Sequence, residues 1–319
     1  MKKLISKILF GTTLPQEFLC LNLNEFDNPL RMIIKSSASR ETFDITDYHL
    51  LNGYKPLIIS FDEKLIDKEI IYKDNSISVS FQVDQNNEIA KLTLKLKEKI
   101  NIESSSFLIF EVVSGKHNFN NIIQKMLGVI KYRLTAKKKN NIYLAGNLYH
   151  QVKIGYSIPR KIFLVSVGSE NRFNIFPTDL SGKIGENYFI ISLRKNGKAN
   201  EQILKEGKCL VALMKIDCLK EVYDAGRNHM KETTDIKKII VKLRDETSTK
   251  LNLPIPLGCI SYYELENFKR IELGIHTLHF FKIIDSTISS ESNSILAHIH
   301  RDYAEWRIRN GIQTNYYFR

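Results

Sequence analysis

Apolar and polar positions alternate along this chain with a period of two far more often than with a helical period. In KLTLKLK, Leu92, Leu94 and Leu96 share one face while Lys91, Thr93, Lys95 and Lys97 share the other, the pattern of a half-buried strand. Strand-like runs recur before residue 135 in LRMIIKS, PLIISF, SISVSFQV and SFLIFEVV, and together they predict an antiparallel sheet. A period near 3.6 then takes over. Phe119, Ile122, Ile123, Met126, Leu127 and Ile130 fall at helical spacing, and the lysines that follow suit the negative end of a helix dipole. The Lys- and Asn-rich stretch 137–141 predicts a boundary, dividing the chain into a β-rich N-terminal domain of residues 1–140 and a C-terminal domain of residues 141–319.

The second region opens with a buried strand, KIFLVSV (161–167), and continues through the strands YFIISL, CLVALM, GCISYYELENF and HTLHFFKII. A helix is expected over 215–225, stopped by Gly226, and a closing helix through SILAHIHRDYAEWRIRN, ending at Gly311. Many strands, few helices and no regular strand–helix alternation argue against a doubly wound sheet and for a small antiparallel barrel. FDITDYHLLNGYKPLIISF (43–61) and FNIFPTDLSGKIGENYFIISL (173–193) share an F-x-I start, a Leu near a Gly and an Ile-Ile-Ser ending. Such short patterns arise cheaply, and chance is the simpler explanation for this one.

Composition narrows the class. With 319 residues, 43% of them hydrophobic and 26% charged, the chain has the makeup of a globular protein long enough for two domains. The net charge of +12 would suit an anionic partner. However, the lysines are spread along the chain, and no basic helix carries interleaved aromatics, so no nucleic-acid partner is expected. Cys20, Cys209, Cys218 and Cys259 have no metal-ligand spacing. There is no apolar run of membrane-spanning length, and the apolar start of MKKLISKILFGTTLPQ is interrupted by Lys7. No membrane association and a cytoplasmic location are expected.

One stretch suggests chemistry. After the apolar strand that ends in Ile190, Ile191, Ser192 and Leu193 come Arg194, Lys195, Gly197 and Lys198, and then a helix over 199–207. A turn leading into a helix N-terminus presents unpaired backbone N–H groups to an anion, and Arg194 and Lys198 would add charge. The plainer alternative is a solvated surface turn.

IPRKIFLVSVG, FNIFPTDLSG, YFIISLRKNGKANEQILKEGKCLVAL and LGIHTLHFFKII, in that order over roughly residues 150–290, resemble the flavin reductase-like, FMN-binding split-barrel family. The resemblance implies a mostly β chain with some α: a C-terminal antiparallel split barrel with peripheral helices, preceded by a separate β-rich domain for which no family is recognised. It also implies an FMN-binding flavoprotein (FAD being possible), an oxidoreductase drawing electrons from NAD(P)H, and a homodimer with flavin near the subunit interface. The alternative is a non-enzymatic flavin-binding or scaffold protein. The family's flavin-contacting loop matches Asn174, Phe176, Pro177, Thr178, Asp179 and Ser181, and its phosphate turn matches Ser192, Arg194, Lys198 and Asn200. Three departures favour the alternative. Ala199 stands where a hydroxyl residue often grips the phosphate. Asp179, where Ser is common, would repel a phosphate unless Arg194 or Lys198 screened it. Ile275 replaces the acid of an Asp-His pair, leaving His276 as the one candidate catalytic group.

Elsewhere His279 and Trp306 are expected to be packed, and His298, His300 and Asp302 lack the geometry of a metal site. No metal is expected. Ile295, Ile299, Tyr303 and Trp306, with the tail Tyr316, Tyr317 and Phe318, suggest a face for a second subunit; cover by the N-terminal domain is the competing reading. No hydrolase, zinc-protease, P-loop or dinucleotide motif is present.

Overall fold

The computed structural model describes residues 17–35, 41–66, 77–84, 87–103, 105–136, 142–288, 294–312 and 316–317. Phe318 lies outside them. The first half comprises strands β1 (Phe18–Asn22), β2 (Arg31–Lys35), β3 (Thr42–Asp44), β4 (His49–Tyr54), β5 (Leu57–Asp62), β6 (Ile77–Gln82), β7 (Glu88–Ile102) and β8 (Ser105–His117). Helices α1 (Ile122–Ala136) and α2 (Asn147–Gly155) follow. Next come β9 (Arg160–Lys161), β10 (Phe163–Ser169), β11 (Arg172–Thr178), β12 (Ser181–Ile184), β13 (Tyr188–Arg194), helix α3 (Lys198–Glu206) and β14 (Lys208–Met214). The chain continues through α4 (Leu219–Ala225), β15 (Thr234–Asp235), β16 (Leu243–Thr247), β17 (Pro254–Pro256), β18 (Cys259–Leu273) and β19 (His276–Ile288). It closes with β20 (Leu296–His300), α5 (Arg301–Arg309) and β21 (Tyr316–Tyr317).

The protein is mostly β, with strands β2–β8 in a sheet of their own and β1 in a small sheet with β20, β21 and β9. The β2–β8 sheet runs β3-β2-β6-β7-β8-β5-β4, and the C-terminal sheet runs β12-β13-β19-β18-β14-β10-β11-β15. Reversing the first list gives β4-β5-β8-β7-β6-β2-β3, which matches the first seven members of the second, strand for strand and in the same chain order. Each half is therefore the same antiparallel circuit, built around one long hairpin: β7–β8 in the first, β18–β19 in the second. The short likeness between 43–61 and 173–193 belongs to this repeat and is not an accident, because it spans β3–β5 in one half and β11–β13 in the other.

Period-two burial fills both sheets. Met32, Ile34, Ile59, Phe61, Val79, Leu92 and Phe110 form part of the N-terminal core, which also takes in Tyr149, Val152 and Ile154 of α2 and Ile299, Tyr303 and Ala304 near the chain's end. Trp306 packs against the same core. Val165, Phe176, Ile191, Val211 and Phe281 pack within the barrel. A third cluster belongs to neither half alone: Ile58, Phe107 and Ile109 meet Ile190, Leu278 and Phe280.

Two sequence expectations change. SILAHIH is not helical: Leu296–His300 is a strand pairing with β1, and the helix starts only at Arg301, where His300 caps it by accepting the Asp302 N–H at 3.0 Å. An apolar run this short satisfies both periods, and β1 supplies the free edge that selects one. The stripe on α1 does not face a core: Phe119 is buried, whereas Ile122, Ile123, Met126, Leu127 and Ile130 are exposed. Among the described residues, no helix is long and apolar enough to cross a membrane.

Candidate functional site

Strand β13 delivers Arg194 to its last position, and a tight turn follows in which the Gly197 N–H donates to the Arg194 carbonyl at 3.0 Å. Lys195 N–H donates to the Ile275 carbonyl at 3.0 Å, which ties the turn to the start of β19. Helix α3 then begins with Gly197 as its N-cap and no side-chain cap. An uncapped first turn leaves amide donors for something else to satisfy. Ala199 is buried in the barrel core, so the hydroxyl missing from this position is replaced by packing.

Arg194 is exposed at the end of its strand, and its Nε donates to the Tyr54 hydroxyl at 2.6 Å. Tyr54 comes from β4, in the other half of the chain. Its ring also meets that of His276 edge-on, at 4.7 Å between centroids. Opposite Arg194 on β19, His276 is 2% exposed, and its Nδ1 lies 3.1 Å from Ser192 Oγ. Ser192 in turn donates to the Asn52 carbonyl at 2.5 Å. With that hydroxyl proton committed, the network assigns Nδ1 as the N–H of His276 and Nε2 as a bare acceptor. Nε2 has no partner among the described residues. Burial first, and the Arg194 charge second, push the His276 pKa down to about 4; the ring is neutral at ordinary pH.

A second group of charges adjoins the first, since Tyr54 feels both Arg194 and Asp179. Asp179 accepts from Arg160 at 3.2 Å and from His298 Nδ1 at 2.9 Å, and His298 Nε2 lies 2.5 Å from the Tyr223 hydroxyl. Burial alone would raise the Asp179 pKa, but Arg160 and His298 outweigh it and hold the carboxyl well below its usual range. Arg160 stacks 3.0 Å above the Tyr156 ring centroid. It is 8% exposed, and its Nε and Nη1 have no hydrogen-bond partner among the described residues.

The remaining sequence candidates divide. Lys198 pairs with surface carboxylates: its ammonium sits 2.8 Å from Glu201 and 3.0 Å from Glu232, which raise its pKa. Asn174 is buried and donates to Gln202 Oε1 at 2.7 Å and to the Asn228 carbonyl at 2.9 Å. Asn200 donates to the Lys195 carbonyl at 3.1 Å and faces His279 Nε2 at 2.7 Å. Phe176 is core and Thr178 is buried in β11. The Pro177 carbonyl accepts from His229 at 2.6 Å, and Ser181, whose buried hydroxyl has no partner among the described residues, opens β12. Arg194, Ser192 and His276 thus share the sheet face turned toward β4, with Asp179 near Tyr54, while Asn174, Phe176 and Asn200 are spent inside the barrel and Ser181, paired with Ile191, lies on the barrel side of β12. Asn52, Tyr54 and Arg160 were not singled out from the sequence. The Ile-Ile-Ser repeat pointed to the strand beside β4, but not to the contact itself. No group of three metal-ligating side chains occurs among the described residues.

Residues 156–307 match the flavin reductase like domain. No curated protein matches the chain. Among solved structures it is similar to an FMN-binding protein from Thermus thermophilus with bound p-hydroxybenzaldehyde, at 19% identity over 41% of this chain and 73% of that one, with a TM-score of 0.36. It is also similar to the NADH:FAD oxidoreductase SgcE6 of Streptomyces globisporus C-1027, at 14% identity over 46% and 86% of the two chains, with a TM-score of 0.41. A third is BorF, the flavin reductase component of a bacterial two-component tryptophan halogenase, at 10% identity over 53% and 97%, with a TM-score of 0.42.

Proposed function

We propose, from a C-terminal half that is a flavin reductase-like domain, that this chain binds FMN and uses it to pass electrons from NAD(P)H to an acceptor. The observation that carries the reading is Arg194, held by Tyr54 beside the uncapped start of α3. That arrangement pairs a fixed cation with free amide donors, which is what a phosphate dianion requires. Buried polar atoms of His276 (Nε2) and of Arg160 (Nε and Nη1) have no hydrogen-bond partner among the described residues. Such atoms are costly to bury unless a ligand completes them, so the residues present suit a flavin. Asp179 is no obstacle, because the Arg160 guanidinium already pairs with it and His298 donates a hydrogen bond to it.

Bound flavin would supply the redox chemistry, as cofactors of this class do. The protein's part is to hold and orient. Arg194 and the α3 amides would take the phosphate, the segment Pro177–Ser181 would hold the remainder, and neutral His276 would offer an acceptor rather than a proton. None of the four cysteines is disulfide-bonded, which suits a reducing cytoplasm. The purified protein is expected to show oxidised-flavin absorption, or to quench FMN fluorescence at micromolar concentration, and to oxidise NADH or NADPH when an acceptor is added. A colourless protein that does not quench FMN sinks the reading.

One observation favours a non-enzymatic flavin carrier. Ile275 provides no carboxylate beside His276, and the ring stays uncharged, so His276 cannot serve there as a charged proton donor. The carrier predicts bound FMN with no nicotinamide oxidation.

A further inference from the structure

We infer that the N-terminal half is a second copy of the barrel carried in the same chain, that its own anion turn has been disabled, and that it now serves the C-terminal site by positioning Arg194 through Tyr54. The inference rests on the flavin-binding reading above and adds which half does what.

The register aligns the two copies residue by residue. Ser60 on β5 lies opposite Ile109 on β8, as Ser192 on β13 lies opposite Leu278 on β19. Both serines follow two isoleucines, Ile58-Ile59 and Ile190-Ile191, and both hydroxyls donate to Asn52, to its side-chain and main-chain oxygens respectively. Two residues further along, Asp62 faces Phe107 where Arg194 faces His276.

Those two replacements disable the N-terminal turn. A carboxylate replaces the guanidinium, so a phosphate there would meet like charge. One amide of that turn is also engaged by a side chain: Asp62 accepts from the Lys64 N–H at 2.9 Å, whereas Gly197 caps nothing with a side chain. Phe107 is buried in the cluster shared by the halves and offers no polar atom where His276 does.

What the N-terminal copy keeps is its contact face. Equivalent residues meet across the junction, Ile58 and Ile109 from one copy with Ile190 and Leu278 from the other, the self-complementary arrangement typical of two copies of one surface. That junction brings Tyr54 to Arg194 Nε and its ring to His276. The same fusion covers Ile299, Tyr303 and Trp306 with the chain's own N-terminal core, so the face that suggested a second subunit is occupied from within. Tyr54 is thus a positioning residue for the phosphate ligand.

The test titrates FMN and riboflavin, which lacks the phosphate, into the full-length protein and into Tyr54→Phe and Asp62→Ala. Tyr54→Phe keeps the ring and removes only the hydroxyl. The expected result is one FMN per chain at every protein concentration, a several-fold weaker FMN affinity in Tyr54→Phe with riboflavin affinity unchanged, and no change in Asp62→Ala. Two FMN per chain, FMN affinity indifferent to Tyr54→Phe, or equal losses for FMN and riboflavin each overturn the inference while leaving flavin binding itself intact. Absence of any FMN binding overturns the functional reading and this inference with it.

Discussion

Tyr54 and Arg194 are 140 positions apart in sequence, yet the phenol accepts from the guanidinium Nε at 2.6 Å. The contact selects one of the two cations in the turn. Arg194→Ala should weaken FMN binding at least tenfold and leave riboflavin nearly unchanged, since charge-assisted hydrogen bonds contribute about 1.5–3 kcal/mol each. Lys198→Ala should have little effect, because Glu201 and Glu232 already take up that ammonium. Fluorescence titration of the two variants decides between them, and a larger loss in Lys198→Ala would reverse the assignment.

The Asp179 carboxylate is the described ion-pair partner of a guanidinium only 8% exposed. Removing one member of a buried pair strands the other, at a cost of about 3–5 kcal/mol. Asp179→Ala should therefore lower the urea midpoint markedly even without flavin. A midpoint equal to that of the parent would mean that water reaches Arg160 freely.

Gly274 joins β18 to β19 with φ of +56°, and a Cβ there would lie 2.2 Å from the Lys55 carbonyl oxygen and 2.4 Å from Pro56 Cδ. Both obstacles belong to the N-terminal half, and one is backbone. Gly274→Ala should thus combine left-handed strain with a clash, at a cost of at least ~2 kcal/mol. Because the Lys55 carbonyl also accepts from Ile275 N–H at 3.2 Å, the substitution should weaken FMN binding along with stability. Thermal melts and FMN titration of this variant check both effects.

Burial lowers the pKa of His276 and of His279 to about 4, and of His117 to about 3. These rings are neutral in the fold, while the unfolded chain takes up their protons below about pH 6.5. Their contribution is therefore fully present above that pH and shrinks as pH falls toward 4, by about 1.4 kcal/mol per pH unit for each ring. The depressed carboxyls Asp179 and Asp302 add to the loss only below their unfolded range near 3.8. Urea unfolding at pH 7.5, 6 and 5 should show this decline, and a constant midpoint across that series would contradict the buried, neutral state of the rings.

The alternation in KLTLKLK and the apolar runs of β10, β13, β14 and β19 made the strands readable, because each strand writes its burial into neighbouring positions. Arg194 was readable for the same reason, standing at the junction of a strand and a helix. Pairing is another matter. Nothing near Leu296 says that β1 offers an edge, so a segment compatible with both periods passed for helix. That misplaced His298, which pairs with Asp179 rather than with anything on α5. Asn174 and Asn200 matched positions in a ligand loop, but whether an amide faces ligand or barrel depends on partners such as Gln202 and His279, which lie far off in sequence. The repeat was visible as Ile-Ile-Ser in both halves, yet only the strand order gives those three letters meaning.

The β1–β20 ladder pairs Phe18 with His300 and Asn22 with Leu296, joining the two ends of nearly the whole chain. Contacts so distant in sequence close late, after the loop entropy between them has been overcome. On a ribosome, β1 would emerge well before β20 and remain an unpaired apolar edge, exposed to aggregation, until that strand followed it. The ladder that ties the two halves together is thereby separate from both main sheets and closes on its own, later schedule.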